Sequence, residues 1–273
     1  MGKRIAKRKL GWRKIAPVAV FLVGLLLVAF ASRGLWTDWR NDVAARNEYT
    51  ELRNNFEVVS EALIRPPLAP PVTTQPDEPD AEPPAEDEAD RHIDMSLFTR
   101  INPDFVGWIS IAGTSISYPV VQGPDNVVYL DTTFSGEWNP AGAIFMDYRT
   151  EEGFAAPLTM LHGHNMRDGS MFAPLMEYLD PAFLNEHSEI AIVTADGEIL
   201  LYEIFRVRWT TAWDRIYLLD PNDPTTTAVF DAAPEWAGRI LLLSTCASDG
   251  DRGARVLVYA AMREVAAERE TGS

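Results

Sequence analysis

RILLLSTCASDGDRGARVLVYAAM, residues Arg239 to Met262, holds two apolar runs of strand length around a polar, glycine-containing connection. Cys246 ends the first run, and Arg255 opens the second nine residues later. Two such strands let these side chains face each other across the connection. A strand end is where a rigid scaffold displays reactive groups, whereas a packing cysteine more often lies inside the apolar run. The thiolate is the reactive form of cysteine, and a nearby guanidinium lowers the cost of forming it. The same guanidinium suits a tetrahedral oxyanion.

Upstream, similar runs recur at Val106 to Ile111, Ile116 to Val121, Ala143 to Met146, Leu158 to Leu161, Ile190 to Val193 and Ile199 to Val207. They are rich in β-branched and aromatic residues and are broken by Gly, Pro, Asn and Asp. This texture predicts an all-β sandwich or barrel over residues 93–263, with one helix around Met171 to Leu179. No internal repeat is visible.

The rest of the chain is organised differently. Ile15 to Ser32 carries no charge, and at ~1.5 Å per helical residue it reaches across most of a ~30 Å hydrocarbon core. It reads as a transmembrane anchor over residues 15–32, preceded by a basic arm, residues 1–14, that stays cytoplasmic by the positive-inside rule. A cleaved signal peptide is the competing reading, since Ala29-Phe30-Ala31 resembles a cleavage site. Residues 33–65 have helical composition, with Leu52, Phe56, Val59 and Leu63 forming one apolar stripe. Pro66 to Asp90 contains eight prolines, eight acids and no basic residue, which predicts a disordered, self-repelling linker over residues 66–92. That linker is expected to set the folded domain off from the membrane and to leave it with a core of its own. Residues 264–273 form a C-terminal tail.

Charge excludes one class of partner. The chain of 273 residues sums to −16, and residues 1–14 contribute seven positive charges and no acid, so the remainder carries −23. Such a body is a poor match for nucleic acid. Cys246 is the single cysteine, so neither an intrachain disulfide nor a thiolate metal cluster can form. Of the four histidines, His92 borders the linker and His187 sits in a polar stretch. The segment Thr159 to Met166 instead runs an apolar strand into His162-Gly163-His164. If the strand continued, both imidazoles would share one face, but a zinc site needs a third ligand and no cysteine pair supplies it. No metal and no cofactor are expected. A cysteine and a histidine distant in sequence are the layout of thiol nucleophile catalysis, although cysteine as mere packing stays open from spacing alone.

Leu243-Ser244-Thr245-Cys246, followed by Arg255 before Val-Leu-Val-Tyr-Ala, resembles the Thr-x-Thr-Cys and Arg strands of sortases, with Leu243 at the position that is usually threonine. Asn102 to Ile109, Tyr118 to Gly123, Asp125-Asn126 to Tyr129-Leu130, Gly142 to Asp147 and His162 to Met166 resemble class B sortases in order and spacing. The likeness covers about Leu97 to Met262.

This resemblance implies a mostly β fold, a closed eight-stranded barrel with short helices, preceded by an N-terminal transmembrane helix and an extracellular helix. It implies a cysteine transpeptidase at the cell membrane, with its catalytic domain outside. His164, Cys246 and Arg255 take the catalytic positions, and Asn126, Leu130, Tyr217 and Ser244 the substrate groove. The implied partners are surface proteins bearing a C-terminal sorting signal, and an amine from a lipid-linked peptidoglycan precursor or from a pilin. A surface cysteine peptidase and a non-enzymatic adhesion module are the rivals. Two departures stand out. His162 occupies a position that is often tyrosine, which makes it a rival to His164. The acid that sometimes closely follows the cysteine is displaced to Asp249, so no acid is assigned a role.

Overall fold

The computed structural model describes residues 12–64, 93–247 and 253–263. Most of the expected basic arm, the acidic linker, the C-terminal tail and residues 248–252, Asp249 among them, lie outside the described residues. Eight strands close into a barrel: β1 Phe105–Ile111, β2 Ser117–Val121, β3 Ile144–Met146, β4 Leu158–His162, β5 Glu189–Thr194, β6 Ile199–Thr211, β7 Ile240–Cys246 and β8 Ala254–Met262. Their spatial order is β1-β2-β3-β4-β7-β8-β6-β5. Each predicted apolar run is a strand, and the main difference is β6, which continues past Val207 to Thr211. Closure leaves no sheet edge unpaired.

Two of the eight pairings are parallel, β2 with β3 and β4 with β7. The second matters most for the site. The chain leaves β4, builds β5 and β6, and returns as β7 beside it, so residues about eighty apart in sequence become neighbours. Both faces of β7 are covered. Leu241 and Leu243 alternate with Ile240 and Leu242, and all four are buried. Ile240 and Leu242 join Met160 of β4 and Leu257, Tyr259 and Ala261 of β8 in an apolar cluster with Ile216 and Val229. Those last two come from the β6–β7 connection, which packs over this outer face.

Two short helices begin where the sequence supplies caps. Asp180 accepts from the Ala182 amide at the start of α3, Pro181–Glu186, and Asp223 accepts from the Thr225 amide at the start of α4, Pro224–Asp231. In both, proline follows the cap at a position whose missing N–H costs nothing. The helix expected near Met171 to Leu179 is a 3-10 helix, Ala173–Leu179, in the structure.

The N-terminal helix α1 spans Trp12–Ile64. The chain forms two compact units, residues 1–46 and 47–273. In the first, Val20, Phe21, Leu26, Phe30 and Leu35 are exposed, on a helix long and apolar enough to cross a membrane. In the second, Tyr49, Leu52 and Phe56 are buried. Phe56 stacks on Trp108 of β1 with centroids 4.4 Å apart and planes 3° from parallel. Phe98 of α2, Ser96–Ile101, lies 5.2 Å from the same indole. The Tyr49 hydroxyl donates to the Gly142 carbonyl at 2.6 Å and accepts from the Phe134 amide at 3.3 Å.

The strand-built domain was expected to have a core of its own, and here the structure differs. Phe56 and Phe98, on either side of the acidic segment, meet on Trp108, so the later part of α1 belongs to the barrel's packing. The core is shared with α1, because burying side chains such as Leu52 and Phe56 contributes about 1.5–3 kcal/mol each. The stripe on α1 is also shifted from the expected one: Tyr49 joins Leu52 and Phe56, Val59 is half-buried, and the Leu63 side chain lies outside those described.

Candidate active site

Strand register builds the site. On β4 and β7, His162 pairs with Ser244, and the parallel ladder continues beyond the last strand residue. The Gly163 amide donates to the Ser244 carbonyl at 3.1 Å, the Thr245 hydroxyl donates to the Gly163 carbonyl at 2.9 Å, and the Asn165 side-chain Nδ2 donates to the Cys246 carbonyl at 2.8 Å. These three bonds bring the His164 turn level with Cys246. Gly163 is required there, since a Cβ would fall 2.5 Å from Ile144 Cδ1 and 2.7 Å from the Phe172 ring.

On the other side, β7 and β8 are antiparallel and Cys246 stands opposite Arg255. The thiol and the guanidinium side chain are both half-buried. One arm of Arg255 donates to the Ala254 carbonyl at 2.9 Å. Cys246 therefore lies between a strand carrying the arginine and a turn carrying the histidine.

His164 is oriented by the backbone. Its Nε2 lies 2.7 Å from the Leu130 carbonyl oxygen. A carbonyl only accepts, so Nε2 carries the hydrogen and Nδ1 keeps the lone pair in the neutral ring. Leu130 closes a 3-10 turn, Val128–Leu130, and its side chain is exposed. The turn is backed by Gly142, where a Cβ would lie 2.5 Å from the Tyr129 carbonyl and 2.7 Å from that of Leu130.

The expected groove residues divide into two groups. Ser244 and Tyr217 meet directly, hydroxyl to hydroxyl, at 2.8 Å. Burial pushes the Tyr217 phenol up to about 12, although its bond to Ser244 and the nearby Arg255 charge act in the opposite direction. It is neutral at physiological pH and so keeps a hydrogen to donate. Asn126 is held by the protein at both ends of its amide, donating to Asp147 Oδ2 at 2.8 Å and accepting from the Tyr148 amide at 3.1 Å.

His162, the rival histidine, is held by a different set of partners. Its Nε2 lies 3.4 Å from Asp147 Oδ2, and its ring stacks between Phe145 at 5.1 Å and Tyr217 at 6.3 Å. The strand ends at His162, so the two imidazoles do not extend one continuous strand face.

Sequence reasoning missed Arg149 and gave Asp147 and Asn165 only places in motifs. Asp147 is fully buried. Burial pushes its carboxyl up, but hydrogen bonds from Arg149, His162 and Asn126 outweigh that and hold it well below the usual carboxylate range. A lone acid at the end of an apolar run, Ala143 to Met146, was the available signal, because a buried charge demands partners.

A sortase-domain family model matches residues 109–263. A sortase B of Listeria monocytogenes is 37% identical over 168 residues, covering 56% of this chain and 66% of that protein. The chain thus spans just under two thirds of this curated relative. The structure of a Staphylococcus aureus sortase B–substrate complex superposes with a TM-score of 0.63 at 26% identity, covering 83% of this chain and 99% of that one. A Streptococcus pyogenes class B sortase described as involved in pilus biogenesis gives 0.56 at 26% identity, covering 62% and 97%. With a closed barrel that sets Cys246 against Arg255 and carries this sequence likeness, the chain belongs to the sortase family and is a class B member of it.

Proposed function

We propose that this protein is a membrane-anchored cysteine transpeptidase that cuts a C-terminal sorting signal and transfers the freed acyl group to an amine. The observation that carries the reading is the register of Cys246 opposite Arg255, with the His164 turn fastened level with the same cysteine. The Cys246 thiolate attacks the carbonyl carbon of a threonine in the signal, and the Arg255 guanidinium donates to the oxyanion that forms. The C–N bond breaks, His164 gives a proton to the departing amine, and a thioester remains on Sγ. An incoming amine then attacks the thioester, His164 takes its proton, and the thiolate leaves. Leu130 supports this by fixing the ring through Nε2 and leaving Nδ1 for the proton.

Tyr217 and Ser244 border the cysteine and suit a groove for the acyl donor, with Leu130 and Asn126 on the other side. The exposed apolar helix suits a single-pass anchor, and the preceding arginines and lysines suit a cytoplasmic N-terminus. The favoured acceptor is the amine of a lipid-linked peptidoglycan precursor. The pilus-associated class B relative supports a second reading with the same chemistry, in which a lysine of another protein is the acceptor.

The test is a library of internally quenched peptides with threonine fixed, offered with and without an added amine. The intact chain should yield a covalent adduct on Cys246 by mass spectrometry and an amine-linked product. Cys246→Ala and His164→Ala should yield neither product. A cleaved acid that forms regardless of amine would make it a peptidase, and turnover surviving in Cys246→Ala would defeat the reading.

A further inference from the structure

Asp147 and Arg149 sit just past β3, outside the group that surrounds Cys246, and their bonds link Asn126 to the β6–β7 connection. The Asp147 carboxylate accepts from Arg149 Nε at 2.8 Å and from an Arg149 terminal nitrogen at 2.7 Å. It also accepts from the Arg149 amide at 3.1 Å and from Asn126 at 2.8 Å, with His162 Nε2 at 3.4 Å. The other direction of the guanidinium is as well occupied. Arg149 donates to the Tyr217 carbonyl at 2.6 Å and to the Leu218 carbonyl at 3.2 Å. Both carbonyls belong to the 3-10 turn Arg215–Leu218 of the β6–β7 connection.

Physical chemistry makes this a rigid link. A carboxylate without accessible surface persists as a charge only when its oxygens are filled by donors, and here both are. A guanidinium presents five N–H donors in one plane, so a single side chain can grip a carboxylate on one edge and two carbonyls on the other. A lysine ammonium has one nitrogen and cannot span them. The apolar cluster holds the base of the β6–β7 connection through Ile216 and Val229, whereas the Tyr217 hydroxyl reaches Ser244 and Leu218 is exposed.

We infer that the Asp147–Arg149 pair is a positioning device that fixes the distance between the two sides of the groove, Asn126 on one and Tyr217 on the other, and so sets which acyl donor fits. The inference rests on the transpeptidase reading of the site. Neither residue takes part in bond making. Their effect passes through the backbone of residues 217 and 218 and through the amide of Asn126.

The test uses the full chain with Arg149→Lys, which keeps the charge beside Asp147, and Arg149→Ala as the severer variant. Three quantities are read: amide hydrogen exchange at Tyr217 and Leu219, which bond to Asp214 and Ile216, steady-state constants on the threonine peptide chosen from the library, and the rate of Cys246 alkylation by iodoacetamide. In Arg149→Lys, exchange should speed at least about tenfold and KM should rise about tenfold, while kcat per titrated thiol changes by less than about threefold. Alkylation should be unchanged, because a small reagent does not need the groove. Unchanged exchange in both variants would show that the link holds nothing. Faster exchange with unchanged KM would show that it does not shape the groove, and alkylation and kcat falling together would make the pair merely structural. A wild-type chain that alkylates but turns over no peptide would overturn the transpeptidase reading, and this inference with it, independently of the variants.

Discussion

The outer face of β4, β7 and β8 carries two opposite chemistries within a few residues of each other. Its lower part is Met160, Ile240, Leu242, Leu257, Tyr259 and Ala261, sealed by Ile216 and Val229 of the β6–β7 connection. One step further along the same strands come His162, Ser244, Cys246 and Arg255. Leu242 has no exposed surface, whereas Cys246 is half-buried. The strands continue and the pairing does not change, but the apolar cover ends at Tyr217. The lower half therefore anchors the connection by burial, and the upper half keeps a rim in which a thiol can be reached. A barrel that supplies both from one set of strands gains a rigid platform for its reactive groups.

Substitutions in the two halves should separate cleanly. Short of removing Cys246 or His164, the largest effect is expected at Arg255. Arg255→Lys keeps the charge and loses the planar fork, so turnover on the threonine peptide should fall about 10² to 10³-fold, roughly 3 to 4 kcal/mol, by analogy with the loss of an oxyanion donor. The melting temperature should hold. Retention of activity within about tenfold would mean that Arg255 supplies charge alone.

Leu242→Ala, on the same strand as Cys246, should do the opposite. It should cost about 2 to 3 kcal/mol of stability in denaturant unfolding, as the covering connection settles into part of the space, and leave the alkylation rate of Cys246 unchanged. A changed rate would show that the two halves are coupled.

Asp147 gives a smaller, pH-dependent signal. Its carboxyl is held below the ordinary value, so the unfolded chain takes up its proton first as acid is added. The stability it contributes is full above about pH 4 and is lost as pH falls toward the folded value. Asp147→Asn should accordingly show a shallower loss of stability on the acid side. An acid limb as steep as that of the wild type would place the responsible carboxylate elsewhere.

His162→Tyr should have the least effect. An aromatic ring preserves the stack with Phe145 and Tyr217 and gives up only the long contact to Asp147. Turnover should stay within about threefold, under 1 kcal/mol. A loss as deep as that of His164→Ala would reassign the proton-transfer role.

Strands and the candidate cysteine were legible for local reasons. Eight apolar runs of strand length gave eight strands because a barrel wall covered on both faces leaves its strands continuously apolar. Cys246 stood out as the single cysteine at the end of such a run. The 3-10 helices and capped short helices were less visible, since each spans only a turn or two, and α3 and α4 are directed by one Asp-Pro pair each rather than by periodicity. Val59 and Leu63 misplaced the apolar stripe of α1, because an unpartnered helix pattern does not reveal which of its residues meets the barrel. Likewise the acidic composition of residues 66–92 suggested separation, yet the side chains on either side of it converge on Trp108.

The sequence alone determined that the chain has an uncharged helical run, an acidic proline-rich stretch and a strand-built domain in which one thiol faces one arginine across a turn. Those features depend on composition and on neighbours within about ten residues. Only the tertiary structure decided that the His164 turn lies against Cys246, that Leu130 chooses the nitrogen bearing the hydrogen, and that Arg149 joins Asp147 to Tyr217. Each joins segments brought together by barrel closure, above all by the parallel pairing of β4 with β7. Partners of that kind leave no periodic trace in the chain, because their separation is set by how many strands intervene and not by any repeat of the backbone.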